Sequence, residues 1–195
     1  MILMKDIIRE GHKTLTQVAK PVQLPLSKAD KKLLKDLMDF VQNSIDEKTS
    51  VKYELRPSVG IAAPQVNISK RMFVIHVEDL DGILHSHAFI NPVITSKAKE
   101  IIYLPGGEGC LSVTREIEGI TPRYYNITVK CHLYDFNTNK LKFITKELEG
   151  YPAIVFQHEF DHLNGVLFVD NLENNPKNIE PLFDYETDDN NEEED

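Results

Sequence analysis

Residues 157–165 read QHEFDHLNG. Two histidines four apart on a helix lie one above the other, so His158 and His162 can aim their imidazoles at one ion. Glu159 sits a step round the axis, outside that stack but within reach of a water held by such an ion. This is the H-E-x-x-H arrangement. The same spacing also fits a helix carrying two unrelated, hydrogen-bonded histidines. Taken alone, it does not say what reaction is run.

Two histidines need a third partner. The protease extension H-E-x-x-H-x-x-G-x-x-H is followed as far as Gly165, but its next ligand falls on Phe168, which cannot bind a metal. The best remaining candidate is Cys110 in YLPGGEGCLSV. There Gly106, Gly107 and Gly109 permit tight turns and a close backbone approach. A thiolate with two imidazoles leaves a fourth position open for water. Taken by itself, Cys110 also reads as a small buried hydrophobe. Cys131, in a strand between Val129 and Leu133, is expected to be that inert core residue. A third stretch, SVGIAAPQV, sets Pro64 before Gln65, whose amide could donate to an oxyanion. Composition alone equally allows a packed turn with an incidental glutamine.

Elements must position these groups. Ser27 and Asp30 form the S-x-x-D pattern of a capping box. Leu33, Leu37, Val41 and Ile45 then recur at helical spacing, which predicts a long amphipathic N-terminal helix buried on one face. Residues 47–58 are expected to be a surface excursion. From Arg71 onward, short β-branched and aromatic runs broken by turn residues predict strands over MFVIHV, HAFINPVIT, NITVKCHLYDF and KLKFITKEL, the last two joined as a hairpin at Asn137–Asn139. Consecutive strands without helices between them imply antiparallel pairing and an α+β class. Gly150 and Pro152 open a second, short helix that carries the H-E-x-x-H motif, and Asn164 with Gly165 closes it. The antiparallel sheets are expected to pack around it.

The totals narrow the function. The chain has 195 residues and a formal charge of -9. Seven of its 31 carboxylates lie in residues 186–195, so residues 1–185 carry 24 acids against 22 bases. We expect a single catalytic domain over 1–185 and an acidic, solvated tail over 186–195. No long basic run argues for a direct nucleic-acid site. Two cysteines do not make a disulfide framework, and a reducing compartment follows. The charged start lacks the apolar core of a signal peptide, and no stretch approaches the roughly 18 apolar residues that span a bilayer. The expectation is a cytoplasmic protein.

Taken together, SVGIAAPQ, EGCLS and QHEFDHLNG resemble, in order and separation, the three signature stretches of the peptide deformylases. These enzymes remove the N-formyl group from the initiator methionine of new chains. The resemblance runs from about Ile2 to Asn171, and the longer stretch before Ser58 is similar to the form common in Gram-positive and related bacteria. It implies one divalent metal per chain held by Cys110, His158 and His162, with Fe2+ in the cell and Zn2+, Ni2+ or Co2+ able to occupy the same ligands. It makes Glu159 the general acid/base and forms an oxyanion hole from Gln65 and the Leu111 N–H. Val59, Gly60, Ile154 and Val155 flank these motifs and are the candidates for binding methionine and the backbone after it. The implied partners are N-formyl-Met nascent peptides, with transient proximity to the ribosome; the protein is expected to be a monomer without a membrane contact.

Two departures from the family pattern stand out. Ser58 replaces the first glycine of G-x-G-x-A-A-P-Q, and we expect an ordinary backbone conformation there. The acidic tail lacks the basic C-terminal helix through which some members contact the ribosome. Two rival readings remain. One is an H-E-x-x-H endopeptidase, opposed by Phe168 and the cysteine. The other is a metal-stabilised binding protein, opposed by the intact Glu159 and Gln65.

Overall fold

The computed structural model describes residues 1–174 and 179–184; the acidic tail expected over 186–195 lies outside the described residues. Ser27 opens α1 (Lys28–Ile45) as the capping box requires: its Oγ accepts from the Asp30 N–H, and the Asp30 carboxylate accepts from the Ser27 N–H. The apolar stripe of α1 is buried through Leu34, Leu37, Met38, Phe40 and Val41, whereas Leu33 is half-buried and Ile45, at the end of the helix, is exposed. The expected excursion after it contains a short helix, α2 (Glu47–Tyr53). Asp46 caps α2 by accepting from the Thr49 N–H, and Glu54 ends it in the left-handed conformation. Charged residues mask this helix from periodicity, because it buries no side chain.

The larger sheet has five antiparallel strands in the order β1 (Gly60–Ala62), β2 (Met72–Glu78), β3 (Leu84–Lys97), β6 (Asn126–Asp135) and β7 (Lys140–Glu149). β1 and β7 are therefore its edges. The predicted hairpin is the β6–β7 turn. Its residue Asn139 has a positive φ of 56°, a region asparagine tolerates better than most side chains. Register shifts at Ile90/Val93 and Ile94/Ser96 bend β3 against β6.

Strand side chains alternate between faces, so this sheet builds two cores. One face packs Met72, Val74, Ala88 and Ile90 onto α1. The other packs Phe73, Phe89, Val129 and Cys131 onto α3 (Gly150–Leu163). Phe73, Phe89 and Phe156 meet there with ring centroids 5.0–5.1 Å apart. Cys131 is fully buried, as expected of a core residue.

The strands of the second sheet were not foreseen, nor was a parallel pairing. β4 (Ile101–Tyr103) pairs antiparallel with β5 (Arg123–Tyr124) and parallel with β8 (Glu180–Pro181). These strands have two or three residues each, too few for an alternating pattern to register.

Candidate metal centre

α3 starts at Gly150 and places Pro152 in its first turn, where the missing N–H loses no helical bond. The helix is buried on nearly every side, which holds its motif inside the molecule. Gly165 ends it with φ of 73°. A Cβ there would stand 2.7 Å from the Gln17 nitrogen, so glycine serves both the left-handed stop and a close backbone contact. Asn164 caps the helix with φ of -104° and is not left-handed.

One donor atom each from Cys110, His158 and His162 lies within 4.8 Å of the others. Cys110 Sγ is 3.4 Å from His162 Nε2, and it accepts from the Ser112 N–H at 3.4 Å and from Gln65 Nε2 at 3.6 Å. Burial pushes the Cys110 thiol up, but the His162 and His158 rings beside it outweigh that and hold it well below the usual thiol range. A thiolate and two imidazoles, all at least largely buried, form a donor set that suits a divalent transition metal and leaves a position open. The residues present fit such an ion.

His158 is oriented from behind. Its Nδ1 lies 2.7 Å from Glu108 Oε2, which leaves Nε2 as the free nitrogen. Arg123 grips the same carboxylate through Nε at 2.7 Å and Nη2 at 3.0 Å, and reaches Asp161 through Nη1 at 2.6 Å. Burial pushes Glu108 up, but His158 and Arg123 outweigh it and hold the carboxyl at about 2. Phe168, which occupies the position of the protease ligand, stacks on the His158 ring at 5.8 Å between centroids.

Glu159 is 3% exposed, and its Oε2 has no hydrogen-bond partner among the described residues. Burial pushes its carboxyl up to about 7, against the pull of His158 and His162. Gln65 comes from the turn over Ala63–Val66 and is 1% exposed. Its Oε1 accepts from the Ala62 N–H at 2.8 Å. That bond turns the amide NH2 toward Cys110 and Ser112.

Beside these groups lies a cavity of about 330 Å³. Gln65, Leu111, Glu159 and His158 face it with Cys110, as do all four sequence candidates for the substrate pocket: Val59, Gly60, Ile154 and Val155. Gly60 is required by closeness, because a Cβ there would lie 2.7 Å from Glu159 Oε1. Ser58 also lines the cavity, and it is not among the residues with positive φ. Sequence reasoning missed Glu108, Arg123 and Asp161. Their signal was available in principle, since a metal-binding imidazole needs an acceptor for its second nitrogen and Glu108 stands two residues before Cys110.

Comparison with known proteins gives the chain a family. The family described as Polypeptide deformylase matches residues 4–178. A peptide deformylase of Oceanobacillus iheyensis is 52% identical over 187 residues, covering 93% of this chain and all of that protein. Peptide deformylase 2 of Bacillus cereus is 52% identical over 172 residues, covering 88% of this chain and 91% of its own length. Among solved structures, a class I type b peptide deformylase of Acinetobacter baumannii with Met-Ala-Ser bound is similar, with a TM-score of 0.65 and 31% identity over 85% of this chain and 96% of its own. The peptide deformylase of Thermotoga maritima is similar at a TM-score of 0.61 and 35% identity, covering 86% and 96%.

Proposed function

The chain belongs to the peptide deformylase family, and on that premise we propose that Cys110, His158 and His162 hold one divalent metal while Glu159 moves the proton. The enzyme removes the N-formyl group from nascent formyl-Met peptides. The observation that supports these roles is convergence: three metal-binding side chains from separate parts of the chain bring their donor atoms together, and two of them, Cys110 and His158, face one small cavity with the buried Glu159 carboxyl and Gln65.

A divalent ion held by those three residues supplies Lewis acidity, lowering the pKa of water and stabilising negative charge on oxygen. The protein supplies the rest. Glu159, at about 7, accepts a proton from water as the water oxygen adds to the formyl carbon. Negative charge develops on the formyl oxygen. Gln65 Nε2 and the Leu111 N–H donate to it, and one such donor is worth roughly 3 kcal/mol. When the carbon–nitrogen bond breaks, Glu159 returns its proton to the departing α-amine. The products are formate and a free methionyl N-terminus.

Val59, Ile154 and Val155 offer apolar surface for the methionine side chain. The peptide beyond it pairs with the backbone of Val59 and Gly60 in a strand-like manner. We assign Fe2+ as the working ion, with Zn2+, Ni2+ and Co2+ as occupants of the same ligands. Residues 1–185 act as one catalytic domain, a monomer in the cytoplasm where formylated chains emerge from the ribosome.

The test is anaerobic purification with metal analysis, followed by assay of formyl-Met and acetyl-Met peptides side by side. The iron- or nickel-loaded protein should release formate from the first and leave the second intact. No formate release would overturn the reading. Glu159→Ala should keep its metal and lose turnover, whereas Cys110→Ala should lose affinity for the metal itself.

A further inference from the structure

β1 is an edge strand, and the alternation of its ladder decides which groups face outward. The His76 N–H donates to the Val59 carbonyl at 2.8 Å, and the register places Gly60 opposite Ile75. Bonded and non-bonded positions alternate in an antiparallel pair. The Gly60 N–H and C=O therefore turn away from β2, as do those of Ala62. Ala62 obeys this rule, since its N–H goes to Gln65 instead.

The outward carbonyl of Gly60 is already engaged. Ser58 Oγ donates to it at 2.6 Å. The Ser58 N–H donates in turn to Ser44 Oγ at 3.1 Å, and Ser44, 1% exposed on α1, donates to the Val41 carbonyl at 2.7 Å. A continuous chain of hydrogen bonds thus joins the core face of α1 to the open edge of β1. It ends at the residue that contact with Glu159 keeps free of a side chain, where the backbone has the most freedom to lose. A carbonyl oxygen has two lone pairs. With one taken by Ser58, its direction is set and the other remains for a second donor.

We infer that Ser58 is a positioning residue for the substrate: its hydroxyl holds the Gly60 carbonyl ready to accept a backbone N–H of the formyl peptide. The inference rests on the deformylase reading and on docking along Val59 and Gly60. Ser58 is half-buried and has no apolar packing role, so its replacement leaves the cores untouched.

The test is steady-state kinetics on the metal-loaded enzyme with formyl-Met-Ala-Ser and with the same peptide N-methylated at the Met or at the Ala nitrogen. Ser58→Ala and Ser58→Gly both remove the hydroxyl. Each should raise KM for the unmodified peptide about 3- to 10-fold, the worth of one hydrogen bond, with kcat within twofold, because the contact is made equally before and during reaction. Ser58→Thr keeps a hydroxyl and should restore KM. One of the two N-methylated peptides, the one lacking the N–H that meets Gly60, should give the same KM with wild type and Ser58→Ala. An unchanged or lowered KM in both hydroxyl-free variants would overturn the inference, as would an equal Ser58 effect on both methylated peptides. Wild type that releases no formate overturns the deformylase reading instead, so the two failures are distinct.

Discussion

A single methyl group at position 60 should disable the enzyme without touching its metal. A Cβ built on Gly60 would stand 2.7 Å from Glu159 Oε1, 3.0 Å from its Cγ and 3.1 Å from its Cδ, whereas ordinary contact begins at 3.4 Å. The carboxylate would have to retreat by about 0.7 Å. Glu159 is 3% exposed inside a packed helix, so it has little room and would leave its place relative to water and the formyl carbon. A misplacement near 1 Å costs on the order of 10²-fold in rate, and Gly60→Ala should therefore lower kcat by tens to a hundredfold. Backbone strain does not enter, because Gly60 is not among the positive-φ glycines. The assay is anaerobic formate release by the nickel-loaded variant, read with metal stoichiometry and Tm. A kcat within threefold of wild type at full metal content would refute the reasoning, since it would mean Glu159 works from a different position.

Two further outcomes follow from the buried charges. Glu108→Gln removes the anion shared by His158 and Arg123; metal affinity measured by chelator competition should fall about 10- to 100-fold, and an unchanged affinity would show that His158 needs no support. Asp30 is raised by burial but lowered more by Lys70 and Ser27, so its folded carboxyl lies below the ordinary 3.8. The stability it adds is therefore full above that value and is lost as pH falls through the lower folded value. The Tm advantage of wild type over Asp30→Asn should shrink below about pH 4, and a constant gap down to pH 2 would contradict this.

The sequence was most readable where residue type and period act over a short span. The capping box at Ser27 and Asp30, the apolar stripe of α1 and the β6–β7 turn are local events, and their residues form those elements. The motif helix was legible differently. α3 is buried almost all round, so no amphipathic face announces it, and His158, Glu159 and His162 were found by their chemistry. What escaped depends on distance along the chain. β8 joins β4 across nearly 80 residues, and Glu108 meets Arg123 at a separation of 15 and His158 at 50. α2 buries nothing and left no period to read. At Ser58 the sequence suggested only a tolerated replacement; its bonds to Ser44 and Gly60 emerge from folding.

The two edges of the main sheet face opposite fates. β1 has three residues and borders the cavity through Gly60. β7 has ten residues and, as the far edge, presents a ladder long enough to recruit a strand from a neighbouring molecule. Five of its ten positions, Lys140, Lys142, Lys146, Glu147 and Glu149, carry charge, on both faces of the strand. A copy adding there would meet those side chains and have to strip them of water. Charge thereby discourages aggregation at β7 and leaves β1, on the docking proposed above, as the edge open to strand addition.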